Sequence, residues 1–278
     1  MTETLASIKA ILVIIDADRR AAMAAAQIAQ RTGAHLNGVA LTFDALLPIY
    51  TVAAPIPTEL VVAAHDHSLS EAELARRDFD AIAKASGVSA SSRVAETIAG
   101  DGLLGIVGSC VLTDLAVVGQ TNPDRREPLR DVLIESLLFH ARLPLMLIPY
   151  AGVRDFQPDR AIIGWNGSST AARAIRAALP LLSLARSVTV VIVDEDRPGV
   201  TGAEVAAYLA RHDIAAQLRE IEKPATGAGQ ALLRFAAEQN ADWLVMGAYG
   251  HSRMREFLLG GVTRHIIADA TLPVFMVH

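Results

Sequence analysis

DLAVVG, Asp114–Gly119, returns as DWLVMG, Asp242–Gly247. Each copy is an apolar run held between an aspartate and a glycine, and each follows a stretch of helical periodicity. Runs that are apolar at every position, rather than at alternate ones, fit strands covered on both faces, as in a parallel sheet. The pair is not isolated. RLPLMLIPY (Arg142–Tyr150) matches TLPVFMVH (Thr271–His278), and Leu-Pro introduces both. Proline suits the first residue of a strand, where its missing N–H costs nothing. Upstream, AILVIIDAD (Ala10–Asp18), an alanine-rich helical stretch ending at Gly33 and HLNGVALTF (His35–Phe43) make a strand, a helix and a strand. AIIGWNGSS (Ala161–Ser169), TAARAIRAALPLLSLA and SVTVVIVDED repeat that order.

Strands alternating with helices, read twice, predict an α/β chain built as a tandem repeat of a five-stranded parallel-sheet domain. The expected domains are 1–150 and 155–278, separated by AGVRDFQPD (Ala151–Asp159), whose glycine and proline suit a linker. A chain of 278 residues is comfortable for two such domains. The spacing between copies falls from 150 residues at the first strand to 128–129 at the last. The first half therefore carries about twenty more residues, assigned to the 46–87 region, read as a loop followed by a longer helix.

Apolar residues make up 52% of the chain and its net charge is −5, so a core is available and no basic surface calls for nucleic acid. Cys110, the single cysteine, cannot form an internal disulfide and reads as a packed core thiol. MTETLASIKAILVIID has no basic start or cleavage signal, and no apolar run reaches the length of a membrane span. The expectation is a cytoplasmic protein with no membrane or nucleic-acid partner.

The second copy of the DLAVVG strand runs on into a glycine-spaced loop, GAYGHSRMREFLLGGVTR (Gly247–Arg264). A ligand in an open parallel sheet sits beyond the carboxyl ends of the strands, beside helix N-termini. A helix starting near Gly260-Gly261-Val262-Thr263 would present unpaired N–H groups and a positive dipole end, and glycine lets a phosphate come close. Phosphate binding and a plain structural turn both fit these residues. The P-loop is excluded because no lysine follows the glycines, and no G-x-G-x-x-G follows either first strand. His65-Asp66-His67 is too close in sequence to share a helix face and lacks an evident third ligand, so no metal site is expected. Trp165 and Trp243 lie on strands and read as packing residues. No G-x-S-x-G and no nucleophile–base pair specifies an enzyme.

G-x2-G-x9-G after a strand of this type resembles the ATP-binding signature of the universal stress protein family, and the two-half plan is similar to the family's tandem members. The resemblance implies five-stranded, Rossmann-like domains of the adenine nucleotide α-hydrolase type. Their terminal strands would join two halves into an internal pseudo-dimer, and further homodimers would also fit. It implies ATP or ADP, with or without Mg2+, as ligand in the second half. Carried over by position, Asn166 stands where the family has the aspartate that meets the adenosine end, with Gly164 in the same strand. Val193 would offer its backbone to the adenine, and Met246 and Gly247 would line base and ribose. Gly250 and His251 would approach the phosphates, and Gly260, Gly261, Val262 and Thr263 would form the anion-binding helix start.

This sequence departs from the family at Asn166, which loses a charge, and at Gly261, which loses a hydroxyl. The first half lacks the glycines. After Gly119 comes QTNPDRREPLRDVLIESLLFH, with Asp131 and Val132 opposite Gly260 and Gly261, so that half is expected to hold no nucleotide in this way. Changes at Gln120 or Asp131 are accordingly expected to leave binding untouched. The implied role is a nucleotide-dependent stress sensor or regulator, with at most slow ATP hydrolysis and no assigned catalytic residue. Two alternatives stay open: an adenylating enzyme of the α-hydrolase type, and a small-ligand-binding or structural module that has lost nucleotide binding.

Overall fold

The apolar runs become strands and the alanine-rich periodic stretches become helices. The structure, a computed structural model, describes residues 8–43, 58–97, 108, 110–122, 128–152, 156–194, 200–249 and 261–278. The first elements are β1 (Ala10–Ile15), α1 (Arg20–Thr32), β2 (His35–Phe43), α2 (Thr58–Ala85), β3 (Ala90–Thr97), β4 (Leu115–Gly119), α3 (Pro128–Phe139) and β5 (Leu145–Ile148). They are followed by β6 (Arg160–Trp165), α4 (Ser169–Leu182), β7 (Ser187–Val193), α5 (Gly202–Ala210), β8 (Ala216–Ile221), α6 (Ala228–Glu238), β9 (Trp243–Gly247), α7 (Val262–Asp269) and β10 (Val274–Val277).

The chain divides into two units. The first draws on Ile8–Gly119 and Arg126–Ala141 and holds β1–β4 with α1–α3; the second draws on Gln120–Arg125 and Arg142–His278 and holds the rest. In the first unit the strands run β3-β2-β1-β4, all parallel, with Val13 paired to both Gly38 and Val117. Alanines 21, 22, 24, 25, 26 and 29 of α1 are buried, and their small side chains let the helix lie close on β1 and β4. Gly33 stops α1 in the left-handed region at φ 69°, its N–H returning to the Ala29 carbonyl at 2.8 Å.

The second unit orders its strands β5-β10-β9-β6-β7-β8. β10, β9, β6, β7 and β8 are parallel in turn, but β5 runs antiparallel to β10, with Val274 opposite Leu147 and Met276 opposite Leu145. This corrects the expectation of two five-stranded parallel sheets: the strands divide four and six between the units, and one is antiparallel. The reason is chemical. LMLI and VFMV are both buried at every position, and an apolar run is satisfied by a neighbour of either direction. Their sequence pattern could not say which neighbour it would find.

The 46–87 region holds α2, which packs on β2 and β3 through buried residues including Phe79; residues 44–57 lie outside the described residues. Cys110 is buried, as a packed thiol should be. Trp243 is fully buried, edge-on to Phe156 and Phe275. Phe156 therefore anchors part of the stretch read as a plain linker, and the Asp159 carbonyl accepts the N–H groups of Arg186 and Ser187.

Candidate functional site

β6 is flanked by β7 on one side and β9 on the other, and the chain leaves β6 and β9 in different directions. A crevice at such a reversal is where open α/β sheets hold ligands. At the end of β6, Asn166 is exposed, and its Oδ1 accepts the Ser168 N–H at 3.1 Å. With Gly167 at φ 73°, this makes an Asx turn into α4. Ser168 then caps the helix, its Oγ accepting the Ala171 N–H at 3.1 Å and lying 3.0 Å from Thr170 Oγ1. Asn166 keeps an amide NH2 group, so the position presents donors where an aspartate would present charge.

Gly247 ends β9 directly against this helix start. A Cβ there would lie 2.6 Å from Thr170 Oγ1 and would also collide with the Ala171 backbone nitrogen. The glycine is thus required by the approach of α4 to β9, whatever the crevice binds. Gly164 pairs with Met246, which is buried, and faces the Leu232 side chain of α6. The β6–β7 ladder ends at Trp165 and Ile192, so Val193 runs one residue further while still paired with Ile221 of β8.

α7 begins at Val262, with Gly261 as its N-cap at φ −63° and ψ 149°, a residue that has no side chain with which to cap the first turn. A helix start carries a positive dipole end and N–H groups without partners inside the helix, the features that receive an anion. Thr263 is buried, and its Oγ1 accepts the Tyr249 N–H at 3.0 Å. That bond ties the first turn of α7 to the exit of β9. Tyr249 sits at φ 52°, a conformation unusual for a side chain of its size. Of the expected residues, Gly164, Asn166, Val193, Met246, Gly247, Gly261, Val262 and Thr263 are described; Gly250, His251 and Gly260 lie outside the described residues. Ser168, Thr170 and Tyr249 were missed from sequence. Only the first two carried a signal, as Ser and Thr at a helix start after Asn-Gly.

The first unit is built differently at the matching place. Asp16 follows β1, 150 residues before Asn166, and is buried with Arg20 of α1 and Arg130 of α3. Arg20 Nε lies 3.7 Å and Arg130 Nη1 4.0 Å from Asp16 Oδ2, and the half-exposed Asp18 lies 3.4 Å from Arg20 Nη2. A Cβ on Gly119 at the end of β4 would collide with the Asp16 carboxylate. The two strand-end glycines therefore clear space for different neighbours: a helix backbone in the second unit, a buried carboxylate in the first. α3 begins at Pro128, three residues before Asp131, so Asp131 sits in its first turn rather than at its start. His65, Asp66 and His67 lie on α2, where His67 Nε2 is 3.6 Å from Glu71 Oε1. Among the described residues no group of three or more His, Cys, Asp or Glu side chains is placed to hold a metal ion. No helix among them is long and apolar enough to cross a membrane.

The sequence profile of the universal stress protein family matches residues 158–278, so a domain of that family covers part of the chain. A universal stress protein of Synechocystis is 34% identical over 55 residues, a match taking in 20% of this chain and 19% of that one. Among solved structures, a universal stress protein from Archaeoglobus fulgidus is similar over 98% of this chain and 96% of its own, at 16% identity and a TM-score of 0.68. The cytoplasmic domain of a prokaryotic cation chloride cotransporter is similar over 97% of this chain and 95% of its own, at 12% identity and a TM-score of 0.51. At such identities the likeness is one of fold. It supports the Rossmann-like α/β architecture and leaves function to the site.

Proposed function

We propose that the second unit binds an adenine nucleotide, ATP or ADP, at the carboxyl ends of β6 and β9, and that the protein acts as a nucleotide-dependent sensor or regulator. The observation that carries this reading is the 3.0 Å bond from the Tyr249 N–H to Thr263 Oγ1. It brings Tyr249, just before the glycine-spaced stretch 250–260, to Thr263, a little beyond it in the first turn of a helix whose N-cap, Gly261, has no side chain. The first N–H groups of α7, with Gly260, Gly261, Val262 and Thr263, would receive phosphate oxygens. Gly250 and His251 would approach the same phosphates. Asn166, at the Asx turn, would donate to the adenosine end, while Gly164, Val193, Met246 and Gly247 would line base and ribose. Mg2+, where present, would travel on the nucleotide's own phosphates. In this reading the chain is a tandem of 1–150 and 155–278 forming an internal pseudo-dimer, it works in the cytoplasm, and the first unit holds no nucleotide.

A second reading draws on Gly247. Packing against α4 accounts for that glycine without a ligand, as it would in a structural module that has lost nucleotide binding. Extraction of the purified protein followed by nucleotide analysis, with calorimetric titration of ATP and ADP, separates the two. Co-purified nucleotide or saturable binding supports the first; neither nucleotide nor affinity leaves the second.

A further inference from the structure

Gln120 was expected to be an inert counterpart in the half without glycines. Its side chain is instead buried in the second unit, beside the helix that the nucleotide reading assigns to phosphate. Gln120 Nε2 donates to the carbonyls of Ile267 at 3.0 Å and Ala268 at 2.7 Å, both in the last turn of α7. Its Oε1 accepts the Tyr150 N–H at 2.6 Å, and its own N–H donates to Ile148 at the end of β5 at 2.7 Å. The last carbonyls of a helix have no partner within the helix, and Gln120 supplies one from a strand exit. In the second repeat the matching residue is Ala248, whose N–H makes the equivalent bond to Val277 at 2.8 Å but whose methyl has no polar group to extend the pattern.

From this geometry we infer that Gln120 is a positioning residue for the anion-binding end of α7, an inference that rests on the nucleotide reading. α7 is eight residues long, too short to hold its own shape in water, so its N-terminal N–H groups point where its anchors set them. Thr263 fixes the front of the helix and Gln120 the back. A residue outside the glycine loop thereby sets how well the loop's helix meets a phosphate.

The test uses the full chain with Gln120→Ala and Gln120→Glu. The glutamate variant keeps an acceptor for Tyr150 but sets a negative charge against the Ile267 and Ala268 carbonyls, and a urea unfolding curve for each variant shows that it still folds. ATP, ADP and adenosine affinities are measured by calorimetry, and amide exchange in α7 by mass spectrometry. Both variants are expected to weaken ATP and ADP about tenfold, to change adenosine less than about twofold, and to speed exchange across 264–269. Equal weakening of ATP and adenosine would assign Gln120 a general structural role and overturn the inference, as would unchanged affinities for all three. If the unaltered protein binds no adenine nucleotide, it is the nucleotide reading itself that falls.

Discussion

The Tyr249 N–H donates to the buried Thr263 hydroxyl at 3.0 Å, joining the exit of β9 to the first turn of α7. Thr263→Val keeps the shape and removes the acceptor, leaving a buried N–H without its partner. The expected cost is about 1–3 kcal/mol in urea unfolding, together with weaker ATP and ADP binding. Thr263→Ser restores the oxygen and should recover most of both. A valine variant as stable as the parent would show that the bond does not hold the site.

The strand-end glycines allow a sharper comparison. Gly247→Ala drives a Cβ into the backbone of the first turn of α4, whereas the tightest contact of Gly164→Ala is the Leu232 Cδ1 methyl at 3.2 Å. Backbone cannot move aside as a side-chain end can. Gly247→Ala is expected to lose about 1–3 kcal/mol or more of stability, and Gly164→Ala clearly less. Equal unfolding midpoints for the two variants would contradict the packing assigned to Gly247.

These contacts show which features were legible in the sequence. The buried strands followed from periodicity, since runs such as LAVVG and the alanine face of α1 declare themselves, whereas β3 and β8, largely polar strands at the ends of the strand order, were not located. The pairing of β5 with β10 was implied only by the family resemblance, because LMLI by itself is equally content beside any apolar strand. The reversal of strand order between β6 and β9 was readable from the repeat. The demand on Gly247 from Thr170 and Ala171 and the reach of Gln120 to α7 were not, since both join residues far apart in the chain.

Asp16 sits between two buried guanidinium groups in the first unit. Asp16→Asn removes the charge that balances Arg20 and Arg130, and breaking such a buried arrangement costs about 3–5 kcal/mol. Asp18→Asn, at a half-exposed position, is expected to cost less than about 1 kcal/mol. Chemical unfolding measures both. Affinity for ADP should stay unchanged in the folded Asp16 variant, because its unit holds no nucleotide in this reading.

α5 starts with a reciprocal cap that makes stability depend on pH. Glu204 Oε2 accepts the Thr201 N–H at 2.8 Å and the Thr201 hydroxyl at 2.9 Å, and the Glu204 N–H donates back to Thr201 Oγ1 at 3.3 Å. The backbone hydrogen bond from Thr201, then the hydroxyl, holds the Glu204 carboxyl below its ordinary value near 4.5. A carboxyl with a depressed folded pKa adds stability that is complete above the unfolded value and lost as pH falls through the folded one. Unfolding followed from pH 7 to pH 3 should therefore show a smaller decline in Glu204→Gln than in the parent. Parallel curves would remove Glu204 from the acid response.

The difference between the two repeats predicts one nucleotide per chain. In the first unit the matching strand end carries the buried cluster of Asp16, Arg20 and Arg130, and Asp131 stands in the first turn of α3, where its charge suits the dipole but repels phosphate. In the second, Asn166 is exposed and the N-cap of α7 is Gly261, which has no side chain. Calorimetry with ADP should thus give a stoichiometry near one. Gly260→Val, which in this reading sets a branched side chain where phosphate would approach, should abolish that binding, and Asp131→Val should leave it intact. A stoichiometry of two, or equal losses from the two substitutions, would mean that the ion cluster around Asp16 does not close the first unit to nucleotide.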